Sequence, residues 1–305
     1  MKHKKKLIGG LVLTTLIYLP FFPYWNDCIR PVAYQSKFYN NRVKSEPLEK
    51  KVINEGRIEK IGNKDNEISV IYVKGTPYEM GFQQGKLLKE KIQNNRDTAL
   101  ETCNIKLSQE IGLPVGQIAA NFILDEAYNK MESYIPNDYK EEMIGLADGS
   151  GVSLKDIKRV HAILELTETS CSGIAAFGKA TKDGKLYQVR LLDYIMEFGI
   201  QENPTIIVYN PNYGNKFVNI GWAGFTGVIS GMNEKGISIS EMGYGRPSKK
   251  LPGTEPYPKE TIDGIPMIFL LKKILQNSDN VEQATGIIKN IKIVINNALF
   301  IKKHR

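Results

Sequence analysis

The texture of the chain changes at Cys171. Upstream of it apolar residues recur with helical spacing; downstream they alternate in short runs separated by turn signals. A strand at 68–73 leads into Thr76, Pro77 and Glu79, which suit an N-cap, a first helical position and a capping box. The helix that follows, to about 94, carries Gly81 and Gly85 one turn apart. Glycine is costly inside a helix, so the pair predicts close approach of a second backbone. Further helices are predicted at 115–133 and 138–147. Another starts at Ser153 and Asp156 and carries Val160, Ile163 and Leu164. Beyond Cys171, strands at 174–177 and 186–192 flank a tight turn at 181–184, and strands at 205–209 and 216–220 follow. The turn string NEKG at 233–236 separates strands at 227–230 and 237–242. Helices at 265–276 and 281–290 and a strand at 293–301 complete a pattern that predicts a layered α+β fold after residue 170.

Before all this comes a run of 19 uncharged, mostly apolar residues, 7–25, behind Lys2, Lys4, Lys5 and Lys6. As a helix it reaches roughly 28 Å, close to the hydrocarbon thickness of a bilayer. The lysines favour a cytoplasmic N-terminus. The expectation is therefore a transmembrane signal anchor over 1–25, a polar spacer over 26–66, a membrane partner and an extracytoplasmic placement of the rest of the chain. The alternative is a cleaved signal peptide and secretion, because Pro20 and Pro23 break the run. Against it, Tyr24, Trp25 and Asn26 offer no small-residue cleavage site. The formal charge of +8 comes from scattered basic residues with no aromatic-interleaved stripe, so no nucleic-acid partner is expected.

The chemistry-bearing side chains are few. Cys28, Cys103 and Cys171 show no metal-ligand spacing, and neither metal nor cofactor is expected. His3 and His304 lie at the extremes, which leaves His161 as the one candidate base. Its position inside a helix favours a surface or capping role. A cysteine beside serine and glycine is by itself more often a small core residue than a nucleophile.

Four ordered motifs change that balance. CSGIAAFG at 171–178, TKDGK at 181–185 and RLLDY at 190–194 together resemble the start of the catalytic chain in the choloylglycine hydrolase and penicillin acyltransferase group of N-terminal-nucleophile (Ntn) hydrolases. GTPYEMGFQQG at 75–85 resembles the propeptide signature of the acyltransferase branch, peptidase family C45. GMNEKG at 231–236 and GIPM at 264–267 fit the same group. The resemblance covers about residues 68–301. It implies an αββα sandwich, with 67–170 a helical propeptide-like region and 171–305 the catalytic region. It also implies self-cleavage between Ser170 and Cys171, after which the new α-amino group, with an ordinary pKa of about 7.7–8.0, serves as base. Asp193 resembles the residue that orients that amine, and Arg190 the residue that contacts the nucleophile and favours thiolate. The substrate class implied is a small amide or other acyl donor.

Hairpin geometry sets Cys171 opposite a residue near 194, with Arg190 and Asp193 within reach. Positions three apart face opposite sides of a strand, so the strand must bend or end between them. Trp222, Phe225, Glu241 and Tyr244 are candidate pocket residues, with core packing an equal reading for Trp222 and Phe225. The resemblance departs at Gly243, where the bile-acid branch carries asparagine. It departs again after 301, where related chains continue and add a further oxyanion donor. The expected sandwich is accordingly incomplete and truncated at the C-terminus. An inactive, membrane-tethered relic that binds acyl ligands is the alternative to an enzyme. A weaker one is a cysteine peptidase using Cys171 and His161.

Overall fold

A computed structural model describes residues 56–62, 67–112, 114, 116–167, 170–194, 196–242, 261–294 and 298–303. Strands β1 (Arg57–Ile61) and β2 (Ile68–Gly75) precede five helices: α1 (Pro77–Leu87), α2 (Lys89–Ile111), α3 (Gly116–Glu132), α4 (Asn137–Ser150) and α5 (Leu154–Leu166). Then come β3 (Ser170–Gly178), β4 (Gly184–Asp193), β5 (Pro204–Pro211), β6 (Phe217–Trp222), β7 (Ser230–Asn233) and β8 (Ile237–Met242). Helices α6 (Met267–Asn277) and α7 (Val281–Lys289) and strand β9 (Ala298–Lys303) follow.

Seven strands form one sheet in the order β1-β2-β5-β6-β7-β8-β9, while β3 and β4 pair only with each other. The expectation of an incomplete αββα sandwich behind a membrane helix is corrected in its membrane helix, and where the second sheet of such a sandwich would lie the described residues hold a two-stranded hairpin. The large sheet also recruits strands from both sides of Cys171, because β2 runs parallel to β5 with Ile71 opposite Ile207. Ser69, Val70, Ile71 and Val73 of β2 are buried, which suits an interior strand.

Membrane attachment is corrected as well. Among the described residues no helix is long and apolar enough to cross a membrane. The 7–25 run, most of the expected spacer and Cys28 lie outside the described residues. The anchor, the membrane partner and the extracytoplasmic placement therefore receive no structural support and are not carried forward.

Helix α1 begins as its sequence predicts. The Thr76 hydroxyl accepts from the Glu79 amide at 3.3 Å, and the Glu79 carboxylate accepts from the Thr76 amide at 2.7 Å. Gly81 and Gly85 meet Gly145 and Gly149 of α4. A Cβ on Gly81 would lie 1.9 Å from the Glu142 carbonyl oxygen, and one on Gly145 would lie 2.1 Å from that of Tyr78. Only bare backbone permits this crossing. The predicted helix from 77 to about 94 is instead two helices that break at Leu88.

Helix α6 lies against the face of the large sheet formed by Ile237 and Ile239, with Phe269, Leu270, Leu271, Ile274 and Leu275 fully buried. The opposite face, with Ser238 and Ser240, receives the β3–β4 hairpin. Asn233 in the NEKG turn does more than close the hairpin. Its carbonyl accepts from the amides of Lys235 and Ile237, and its amide donates to the Leu275 and Ser278 carbonyls, tying the turn to the end of α6.

Candidate functional site

The site is built on the hairpin. Cys171 pairs with Leu192 and Ser170 with Asp193. Strand β4 alternates without interruption: Leu186, Gln188, Arg190 and Leu192 turn inward, while Lys185, Tyr187, Val189, Leu191 and Asp193 are exposed. Gln188 is clamped onto the sheet, its amide donating to the Ser240 hydroxyl at 3.2 Å and its carbonyl accepting from the Ser238 hydroxyl at 2.7 Å.

One register step further, Arg190 reaches both sulfur and carboxylate. Its Nη2 lies 3.1 Å from Cys171 Sγ and 3.1 Å from Glu241 Oε2, while its Nε donates to the Glu241 carbonyl at 3.1 Å. The two charged side chains are about one-tenth exposed. Planar donors shared between a carboxylate and a second acceptor fix the guanidinium in two dimensions, which is the particular use of arginine over lysine. Cys171 itself is half-buried. Cys103 is the other described cysteine, and burial pushes its thiol up to about 12, as for an inert packing residue.

Asp193 is not brought to the sulfur. The strand neither bends nor ends before it, so residue 193, opposite Ser170 in the register, faces away from residue 190 and into solvent. Trp222 lines the cleft beside the hairpin, but Phe225 is buried beneath it in a cluster with Leu100, Leu124, Ile163 and Phe198. Glu241 is an ion-pair partner of Arg190 as well as a cavity residue. Tyr244 and Gly243 lie outside the described residues, as does the Ser170 side chain. Among the described residues no cluster of histidine, cysteine and carboxylate side chains could hold a metal ion.

A cavity of about 480 Å³ opens next to Arg190. Leu192, Val218, Ile220, Trp222, Ile229 and Met232 make much of its wall apolar, with Gln188, Ser230, Ser238 and Ser240 supplying polar atoms. That mixture of apolar walls and a few convergent polar groups is usual for small-molecule sites.

His161 is not on a helix surface. It is buried in the core, its ring stacked on Phe269. Nδ1 lies 2.8 Å from the Ile157 carbonyl, and Nε2 accepts from the Thr226 amide at 3.1 Å. Burial pushes its pKa down to about 4, and both nitrogens are engaged away from Cys171.

Glu165 escaped sequence inspection. It is buried at the end of α5 and accepts the Met267 and Ile268 amides in the first turn of α6. Burial, with the nearby Glu241 adding to it, pushes its carboxyl up to about 8 against the pull of those amides. With Glu241, Tyr194 and Trp222 it lines a small cavity of about 20 Å³ behind Leu192. The sign of its effect on stability follows. The folded pKa lies above the ordinary 4.5, so the contribution is complete below about 4.5 and is lost as pH rises through about 8. His161 acts in the opposite sense, its contribution being lost as pH falls from 6.5 through about 4. Between pH 6.5 and 8 only Glu165 of this pair acts, at about 1.4 kcal/mol per pH unit. The urea midpoint of the chain is expected to fall across that window, and Glu165→Gln to flatten the fall. An unchanged slope in the variant would refute this assignment.

Residues 171–305 match the family of linear amide C–N hydrolases, choloylglycine hydrolase family. Two proteins of Dictyostelium discoideum are similar to the chain. Protein dcd1A is 31% identical over 258 residues, covering 77% of this chain and 56% of the relative. Protein dcd1B is 30% identical over 249 residues, covering 77% and 48%. An uncharacterized protein of Archaeoglobus fulgidus is 24% identical over 247 residues, covering 73% and 39%. The chain thus spans about half the length of the curated relatives it matches. From Cys171 onward it is similar to the choloylglycine hydrolase family, and that similarity supports amide-hydrolase or acyltransferase chemistry at the level of the family.

Proposed function

We propose that the chain is a self-processing amide hydrolase or acyltransferase with Cys171 as its nucleophile. The observation that carries this reading is the 3.1 Å approach of the Arg190 guanidinium to Cys171 Sγ, with Glu241 holding the arginine from its other side. The family match, which begins at residue 171, supports it independently.

In the processing step the Cys171 sulfur attacks the Ser170 carbonyl carbon. The peptide C–N bond breaks as the nitrogen takes up a proton and becomes the α-amine of Cys171. Water then hydrolyses the thioester, leaving a Ser170 carboxylate and a free thiol. The amine, with an ordinary pKa of about 7.7–8.0, serves as base near neutrality, so nucleophile and base belong to one residue. Asp193 pairs with Ser170 across the hairpin, but its carboxylate is exposed on the face away from Arg190, so it is not assigned to orienting that amine. In turnover the sulfur accepts the acyl group of an amide substrate as a thioester and passes it to water or to an amine. The apolar wall of the large cavity suits the acyl portion.

The test is an intact-mass and N-terminal analysis of purified chain, with an assay on N-acyl amides. The expected result is a fragment beginning at Cys171 and thiol-dependent turnover, both abolished in Cys171→Ala. An uncut wild-type chain that binds acyl amides without turnover would instead make this a ligand-binding protein and refute the enzymatic reading.

A further inference from the structure

The last turn of α5 is fixed at three successive residues. Glu165 accepts the Met267 and Ile268 amides of α6, and Leu166 packs against both buried apolar clusters. Thr167 ends the helix, its amide donating to the Ile163 carbonyl at 3.1 Å. Its hydroxyl donates to that same carbonyl at 2.9 Å, which leaves the oxygen to accept from the Tyr194 hydroxyl, 3.1 Å away. Tyr194 is held in turn, its ring stacked on Trp222 at 6.2 Å and tilted against Phe198 at 5.7 Å.

The places of these two residues in the chain give the contact its meaning. Thr167 stands three residues before Ser170, and Tyr194 directly follows Asp193, the register partner of Ser170. The backbone from 167 to 170, the pairing of Ser170 with Asp193 and the side chain of Tyr194 therefore close a small ring. The hydroxyl–hydroxyl bond seals it. On the other side of the Ser170–Cys171 bond, the ladder fixes Cys171 opposite Leu192, and Arg190 holds the sulfur. Both flanks of that one peptide bond are thus tied to β4 and the residue after it.

We infer that Thr167 and Tyr194 are positioning residues for self-cleavage, holding the carbonyl side of the Ser170–Cys171 bond where the Cys171 sulfur attacks it. This rests on the self-processing reading and deepens it. Attack on a carbonyl needs the reacting atoms about 3–3.5 Å apart and aligned, and a misplacement of about 1 Å can cost about 100-fold. Untying Thr167 frees the carbonyl side while the sulfur stays anchored. Once the peptide bond is broken, the ring no longer fixes a reacting carbonyl, and Thr167 belongs to the piece upstream of the cut. The pair therefore governs the cut and not the later turnover.

The test is the rate of cutting in the full chain, made by cell-free synthesis with a pulse of label and followed on gels during the chase. Thr167→Val and Tyr194→Phe each delete one hydroxyl and keep the shape of the side chain. Each is expected to slow cutting about tenfold or more. The double variant is expected to be no slower than the slower single one, because both changes remove the same bond. Thr167→Ser keeps the hydroxyl and is expected to restore the wild-type rate. After cutting has gone to completion, Thr167→Val is expected to turn over N-acyl amides at the wild-type rate per cut molecule, which a general loss of structure would not allow. Wild-type cutting rates in Thr167→Val or Tyr194→Phe, no rescue by Thr167→Ser, or turnover lost in proportion to cutting would each overturn the inference and leave the Cys171 chemistry standing. A wild-type chain that never cuts would overturn self-processing itself, and this inference with it.

Discussion

Lys272→Met is expected to lower the stability of the chain by about 3–5 kcal/mol, read as a large drop in urea midpoint. Lys272 and Glu142 are both fully buried and form an ion pair between α6 and α4. Lys272 also donates to the Thr226 carbonyl at 2.7 Å, and its ammonium lies over the rings of Tyr209 and Tyr139. Glu142 accepts from the Tyr209 hydroxyl at 3.1 Å. Burial pushes Glu142 up and Lys272 down, toward their neutral forms, and their mutual attraction opposes both displacements. Removing the lysine alone leaves a buried carboxylate with only a phenol to meet it. Adding Glu142→Gln to Lys272→Met removes that orphaned charge while keeping an acceptor for Tyr209, so the double variant is expected to be more stable than Lys272→Met alone. A double variant that is no better than the single one would show that the pair contributes packing and not charge.

The second large effect concerns the chain after the proposed cut. The two pieces, up to Ser170 and from Cys171, are expected to remain one particle in native buffer and to separate only in denaturant. The sheet is sewn across the cut by the β2–β5 ladder, which runs from Ser69 opposite Thr205 to Gly75 opposite Pro211. Buried polar ties add to it. Gln84 donates to the Phe225 carbonyl at 3.2 Å, Asn95 to that of Ala223 at 2.9 Å, and the Asn203 amide to the Asn95 side-chain carbonyl at 2.7 Å. His161 with Thr226 and Glu142 with Lys272 bridge the same two pieces. Separating them would expose apolar core and orphan each of these groups. Size-exclusion chromatography of cut protein, followed by mass analysis of the peak, is the measurement. A 171–305 fragment eluting alone under native conditions would defeat this expectation.

Both expectations rest on contacts that local sequence does not disclose. The local signals read well: the Thr76–Glu79 capping box, the close-packed Gly81 and Gly85, the turns at 181–184 and 233–236, and the adjacency of Arg190 to Cys171 all follow from short-range stereochemistry. The parallel pairing of β2 with β5 does not, because five helices and a hairpin intervene and nothing in either strand names its partner. The Arg190–Glu241 pair spans 51 residues and depends on how the hairpin lies on the sheet. Asp193 was ambiguous only while the end of β4 was unknown. Once the strand runs straight to 193, parity alone turns that carboxylate outward. His161 and Glu165 were legible in part, since they lie four apart on a stripe that also carries Ile157. Polar residues on an apolar helical stripe mark buried hydrogen-bond partners more often than solvent-facing ones.

Helices α1 and α4 carry their glycines at the same spacing, 81 and 85 against 145 and 149, about 6 Å along each axis. A slide by one such repeat would leave a single glycine facing a glycine and set side chains against the other two. The crossing therefore keys the two helices together in one position, and that position sets Glu142 where Lys272 of α6 reaches it.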